Sequence, residues 1–228
     1  MGSRGLRVVK AEWNGDDKLT VLAMPEPPDH VDVTTTIEPP KRRYGDTNLS
    51  IEEIEVALAE SRDFSYLRNL VVFNVYGLSM TLPIHHECDV LVCSKSGYLT
   101  EIEIKRSWTD FLADFKKSHG HRSDYIKYFY FCIPLSIFDK VSEYLETKTK
   151  EEESIKDIGI LTYDEEKYIQ VKKSARQYYN PKKLFIEQQL ELARLGTMRA
   201  VTMKKKFIKN IIKSEPTSAT LENEMYNT

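Results

Sequence analysis

Nowhere in this chain of 228 residues do twenty apolar residues run together, and the opening Met1-Gly2-Ser3-Arg4-Gly5-Leu6 has no apolar core of the kind a secretory leader needs. A membrane-spanning helix and a signal peptide are therefore not expected. Cysteine is scarce: Cys88, Cys93 and Cys132 are odd in number and each sits inside an apolar run. That excludes a disulfide framework and suits buried thiols in a reducing compartment. The expectation is a soluble, intracellular, cytoplasmic protein. No internal repeat is visible, which argues against a solenoid. An excess of charge of either sign is also missing, the formal net charge being −2.

The charge that is present is unevenly spread. Residues 167–213 hold thirteen Lys or Arg against only Glu187 and Glu191, so the remainder is acidic on balance. Such a basic stretch is either a footprint for a polyanion or a solvated helix face with a basic tail. With 41% hydrophobic and 11% aromatic residues the chain has enough apolar surface to build a packed core.

Residues 1–46 read as an appendage. Two β-type runs, Leu6–Trp13 and Leu19–Met24, flank Asn14-Gly15, a favoured hairpin dipeptide. Pro25, Pro27, Pro28, Pro39 and Pro40 then make a linker or extended arm. A core over 47–178 opens with a helix at about 50–62, where Ser50 and Glu53 have capping-box spacing. A strand follows at Leu70–Val75. Ser107 caps a helix carrying Trp108, Phe111, Leu112 and Phe115 at core spacing. An aromatic strand at Lys127–Pro134, a helix at 136–147 and strands at Ile158–Thr162 and Tyr168–Val171 complete it. Basic amphipathic helices at Pro181–Leu195 and Thr197–Lys213, separated by Gly196, form an extension over 179–213, and residues 214–228 a disordered tail.

The most informative stretch lies between. Cys88-Asp89-Val90-Leu91-Val92-Cys93 and Leu99-Thr100-Glu101-Ile102-Glu103-Ile104-Lys105 are two β-type runs joined by the Gly-containing turn Ser94-Lys95-Ser96-Gly97. Ile102 and Ile104 alternate with Glu101, Glu103 and Lys105, which puts the three charged side chains on one face. Read alone, that face is either solvated or chemical. Asp89, an acid at the start of an apolar strand, needs a partner or water once its neighbours are buried. Two strand-borne carboxylates and a lysine are the donor set for a divalent metal beside a phosphate or a water.

These residues, with Asp110-Phe111-Leu112-Ala113-Asp114-Phe115-Lys116-Lys117 after them, resemble the PD-(D/E)xK nuclease superfamily. Within it they are most similar to a phage and bacterial branch that includes the MmcB-type DNA-repair proteins. The resemblance covers roughly residues 47–200, and Cys88 stands where the superfamily's name has proline. It implies an α/β, restriction-endonuclease-like core, a mixed central sheet flanked by helices, and Mg²⁺- or Mn²⁺-dependent cleavage of DNA. It implies that Asp89 and Glu103 bind the metal with the Ile104 carbonyl and that Lys105 orients or deprotonates the attacking water. It also implies an acid from the first core helix, for which Glu55 is preferred over Glu52 and Glu53 because it borders the apolar stripe.

Phosphate contacts are expected from Lys116, Lys117 and Arg122, whose segment Lys116-Lys117-Ser118-His119-Gly120-His121-Arg122 also opposes the negative end of a helix dipole. Lys204, Lys205 and Lys206 are expected to contribute as well. His85-His86-Glu87-Cys88 holds zinc-type donors, yet no second Cys or His pair at zinc-finger spacing accompanies it. Two other functions stay open: a non-catalytic nuclease-fold module that docks on DNA or on a partner protein, and a structural phage-type or mobile-element component.

Overall fold

The computed structural model describes residues 7–14, 18–24, 46–76, 84–115, 121 and 123–214. The chain divides into two compact units, Met1–Arg43 and Tyr44–Thr228. In the first, β1 (Arg7–Asn14) and β2 (Lys18–Met24) pair antiparallel, as the Asn14-Gly15 dipeptide predicts, with a register shift between Val8 and Lys10.

The second unit is an α/β fold around a six-stranded mixed sheet. Its strands are β3 (Leu70–Tyr76), β4 (Glu87–Cys93), β5 (Leu99–Ile104), β6 (Ile126–Pro134), β7 (Gly159–Tyr163) and β8 (Ile169–Lys173). They lie side by side in chain order. β5–β6 and β6–β7 are parallel, and the other three pairs antiparallel. The two parallel steps are where a crossover is required, and helices α2 (Trp108–Asp114) and α3 (Phe138–Thr149) supply it.

Two apolar clusters form the core. α1 (Ile51–Glu60) sends Ile54 and Leu58 against Val90, Val92, Ile102 and Ile104. Phe111 of α2 and Val141 and Leu145 of α3 pack with Leu99, Phe129 and Phe131. The Phe111 ring, fully buried, lies 5.0 Å from Phe131, 5.2 Å from Phe115 and 5.6 Å from Trp108, centroid to centroid. Those aromatics are core packing, as their helical spacing suggests.

Local signals explain the element boundaries. Ser50 Oγ accepts the Glu53 N–H while Glu53 reaches back to the Ser50 N–H, a complete capping box, and Ser107 Oγ accepts from the Asp110 N–H. The β4–β5 turn closes through Gly97, whose φ of +85° is a left-handed conformation open to glycine at little cost.

One expectation is overturned. The C-terminal segment is a single helix, α4 (Ile186–Ser214), which passes through Gly196 without a break. Glycine there serves packing: a Cβ would stand 3.3 Å from Val72 Cγ2 on β3. The helix cost of glycine, about 1 kcal/mol against alanine, is offset by that close approach. The N-terminal half of α4 is anchored to the sheet through Leu192, Leu195, Gly196 and Arg199. The expected tail beyond 214 lies outside the described residues.

Candidate active site

Asp89 sits where the β3–β4 ladder changes phase. Phe73 and Val90 belong to the cluster under α1, whereas Val75 and Cys88, two residues away on each strand, belong to the cluster under α2 and α3. Side chains two apart on a regular strand share a face, so both strands turn over at the intervening Asn74 and Asp89. Asn74 absorbs the change with φ +52°, a conformation that asparagine tolerates better than most residues.

Two contacts leave this point. Asn74 Nδ2 donates to Glu55 Oε1 at 2.8 Å. Asp89 Oδ2 accepts the Ile104 N–H at 2.8 Å, the amide lying between Glu103 and Lys105. Glu55 is buried on α1 and Asp89 partly exposed. Burial, together with the charges of Glu52 and Asp89, outweighs the Asn74 hydrogen bond and pushes the Glu55 carboxyl up to about 7. Glu52 is exposed, and Glu53 is held in the capping box and by Lys167 at 3.3 Å. Of the three candidate helix acids, Glu55 alone is buried toward the sheet.

The alternation on β5 puts Glu101, Glu103 and Lys105 on one face, and all three are at most 4% exposed. They form a hydrogen-bonded network. Lys105 Nζ donates to Glu103 Oε1 and to Asp114 Oδ1, both at 2.8 Å. His121 Nε2 lies 2.6 Å from Asp114 Oδ2, and His121 Nδ1 2.8 Å from Glu101 Oε1. His86 Nε2 is 2.9 Å from both Glu101 oxygens. The His121 ring is also stacked on Phe129, 4.9 Å between centroids, which fixes its plane.

Electrostatics holds Lys105, His121 and Glu101 charged despite burial. Desolvation acts to lower the Lys105 ammonium, but Glu103 and Asp114 overcome it and leave it above its ordinary value. Burial likewise opposes a charge on His121, yet Asp114 and Glu101 raise it to about 9. Desolvation would raise Glu101, and the bonds from His121 and His86 bring it below the usual carboxylate range. Burial and the carboxylates around Cys88 keep that side chain a thiol, hydrogen-bonded to Glu101. Cys93 and Cys132 are also buried free thiols.

The sequence-predicted residues therefore fall into three groups. Asp89 is joined to the Ile104 backbone and lies close enough to Glu55 to raise its pKa. Glu103 and Lys105 are directly paired, with Asp114 as a third partner that sequence reasoning does not assign. Lys204, Lys205 and Lys206 are exposed along α4, and Arg199 of the same helix donates to the Asn74 carbonyl at 2.8 Å. Lys116, Lys117 and Arg122 lie outside the described residues. Glu101, His86 and His121 also escape as a group. Their signal is His86 just before β4, two residues ahead of Cys88, but the third donor comes from beyond α2. A groove of about 1110 Å³ runs between α1 and β8 beside Glu52, Glu60, Arg62 and Tyr168. None of Glu55, Asp89, Glu103 and Lys105 lines it, so its size carries no weight for the site.

Among the described residues no helix is long and apolar enough to cross a membrane. No family model matches the chain, and no curated protein does. A solved protein of unknown function from Silicibacter pomeroyi aligns with 16% identity and a TM-score of 0.45, covering 70% of this chain and 92% of its own. That likeness is too slight to assign a fold family or a function.

Proposed function

We propose that the second unit is a nuclease-like core of PD-(D/E)xK type that hydrolyses DNA phosphodiesters with Mg²⁺ or Mn²⁺. The observation that carries the reading is the 2.8 Å hydrogen bond from the Ile104 N–H to Asp89 Oδ2, which ties the two halves of the D…ExK pattern together. Glu55, at about 7, is the helix-borne acid beside them. Asp89 and Glu103 are hard oxygen donors of the kind these ions take, and they would hold the metal with the Ile104 carbonyl. The ion, when bound, would supply charge to the scissile phosphate and to a bound water.

The chain's own groups have separate parts. Lys105, kept cationic by Glu103 and Asp114, stabilises negative charge that develops on the phosphate. Glu55 accepts or returns a proton near neutrality, where a pKa of about 7 serves both directions. Arg199 and the exposed Lys204, Lys205 and Lys206 contact phosphates without reading bases.

One observation favours the second reading, a non-catalytic module that docks on DNA or a partner. Lys105 is 4% exposed and already holds two carboxylates. Cleavage of labelled single- and double-stranded DNA with Mg²⁺ and with Mn²⁺ separates the two. Cutting by wild type that Asp89→Asn abolishes supports the enzyme. Binding without cutting under either ion favours the module.

A further inference from the structure

Near the D…ExK residues lies a second constellation whose donor chemistry differs from theirs. His86 precedes β4, Glu101 is on β5, and His121 follows α2. The ligand atoms of these three lie within 4.8 Å of one another, and all three residues are buried. We propose that His86, Glu101 and His121 form a site for a first-row transition metal, Zn²⁺ in particular, distinct from the Asp89–Glu103 locus.

Hydrogen-bond chemistry gives the first reason. Asp114 Oδ1 takes the Lys105 ammonium, so the carboxylate is an acceptor, and its Oδ2 takes N–H from His121 Nε2 at 2.6 Å. Without a metal, imidazolium N–H groups account for both contacts, with a proton between His121 Nδ1 and Glu101 Oε1, 2.8 Å apart. A metal ion takes that place when His121 gives up the Nδ1 proton and keeps the N–H bonded to Asp114. His86 Nε2 is aimed at the same carboxylate at 2.9 Å.

The second reason is the outer arrangement. A histidine that ligates a metal almost always gives its other ring N–H to a carboxylate or carbonyl, which fixes the tautomer and raises its basicity. Asp114, itself oriented by Lys105, stands in that position toward His121, and Phe129 stacks on the ring.

Two imidazoles and a carboxylate suit Zn²⁺, Co²⁺, Mn²⁺ or Fe²⁺ better than Mg²⁺, which prefers an all-oxygen shell. Zn²⁺ takes such donors at about 2.0–2.2 Å. Cys88 stays outside the set, as a thiol hydrogen-bonded to Glu101. The donor set is spread over three segments, which is why His86-Glu87-Cys88 alone lacks a zinc-finger partner.

The test is uptake of Co²⁺ by chelator-treated full-length protein, read by its visible d–d absorption and by displacement with Zn²⁺. One equivalent is expected, without a thiolate-to-metal charge-transfer band. His86→Gln and His121→Gln should lose it, Asp114→Asn should weaken it about 10–100-fold, and Asp89→Asn should keep it. Circular dichroism reports whether each variant is folded. Should the histidine variants unfold, the wild-type spectrum together with retention in Asp89→Asn still decides. Absence of d–d bands in folded wild type overturns the proposal and leaves a proton-linked network. Loss in Asp89→Asn with retention in folded His121→Gln overturns it too, because the ion would then belong to the D…ExK locus. Since uptake is read without DNA, the result is independent of whether the protein cuts.

Discussion

Replacing Glu55 with Gln isolates the cost of burying one acid against the sheet. Burial, Glu52 and Asp89 raise its carboxyl from 4.5 to about 7, against the pull of the Asn74 bond. The folded protein therefore holds this proton more tightly than the unfolded chain does. The associated stability is fully present below about pH 4.5 and is lost as pH rises to about 7, because the folded state must then carry a desolvated charge. A tenfold gain in proton affinity on folding is worth about 1.4 kcal/mol, so the whole loss amounts to about 3 kcal/mol. Gln keeps an oxygen for the 2.8 Å bond from Asn74 Nδ2 and carries no charge. Urea unfolding without divalent metal, from pH 4.5 to 8, is the assay. The variant should match wild type near pH 4.5, exceed it by about 2–3 kcal/mol at pH 8, and show a flatter profile between. Parallel pH profiles for the two proteins would refute the assignment of a raised pKa to Glu55. If Glu55 also completes the metal site, saturating Mn²⁺ should stabilise wild type more than the variant, narrowing the gap.

Asp89→Asn should abolish metal-dependent cleavage of labelled DNA while leaving a melting temperature near that of wild type, since Asn can still accept the Ile104 N–H; full retained activity would show the centre to be elsewhere. Lys105→Ala should destabilise the fold by about 3–5 kcal/mol in denaturant unfolding, because it removes the ammonium to which both Glu103 and Asp114 are bonded in the interior. Reversing charge at Lys204, Lys205 and Lys206 should weaken DNA binding and flatten its salt dependence, measured by fluorescence anisotropy across a salt series; an unchanged slope would make the triplet a solvated helix face. Phe111→Ala should cost about 3–5 kcal/mol, read by the same unfolding assay, because the ring is fully enclosed by Phe115, Phe131, Trp108 and Tyr144.

Signals confined to a few neighbouring residues are legible in the sequence. The Ser50–Glu53 spacing announces a capping box, and the Ile102–Ile104 alternation places Glu101, Glu103 and Lys105 together. The mixed sheet is what the family resemblance implies. What escapes depends on partners distant in sequence. Gly196 reads as a break, since only Val72, more than a hundred residues earlier, shows why a helix would keep a glycine there. The phase change at Asn74 and Asp89 has no sequence signature, because both runs look like uninterrupted strands. Lys105 reads only as a residue acting on the attacking water; its contact with Asp114, nine residues on, makes it a member of the buried network as well. His121 reads as part of a basic segment, and its role depends on Glu101 from β5 and Asp114 from α2.

The strict chain order of the six strands has a consequence for how the sheet can be assembled. Each strand pairs with its immediate predecessor, so the ladder can grow one strand at a time in the direction of synthesis, with no earlier gap to be filled. Such local closure keeps the loop entropy of each step small. The first strand made is nevertheless among the last to be covered. Val72 of β3 meets Gly196, and the Asn74 carbonyl receives Arg199, both from α4, which follows β8 in the chain. A nascent chain halted after β8 would hold a complete sheet whose opening edge and Asn74 turn still await α4.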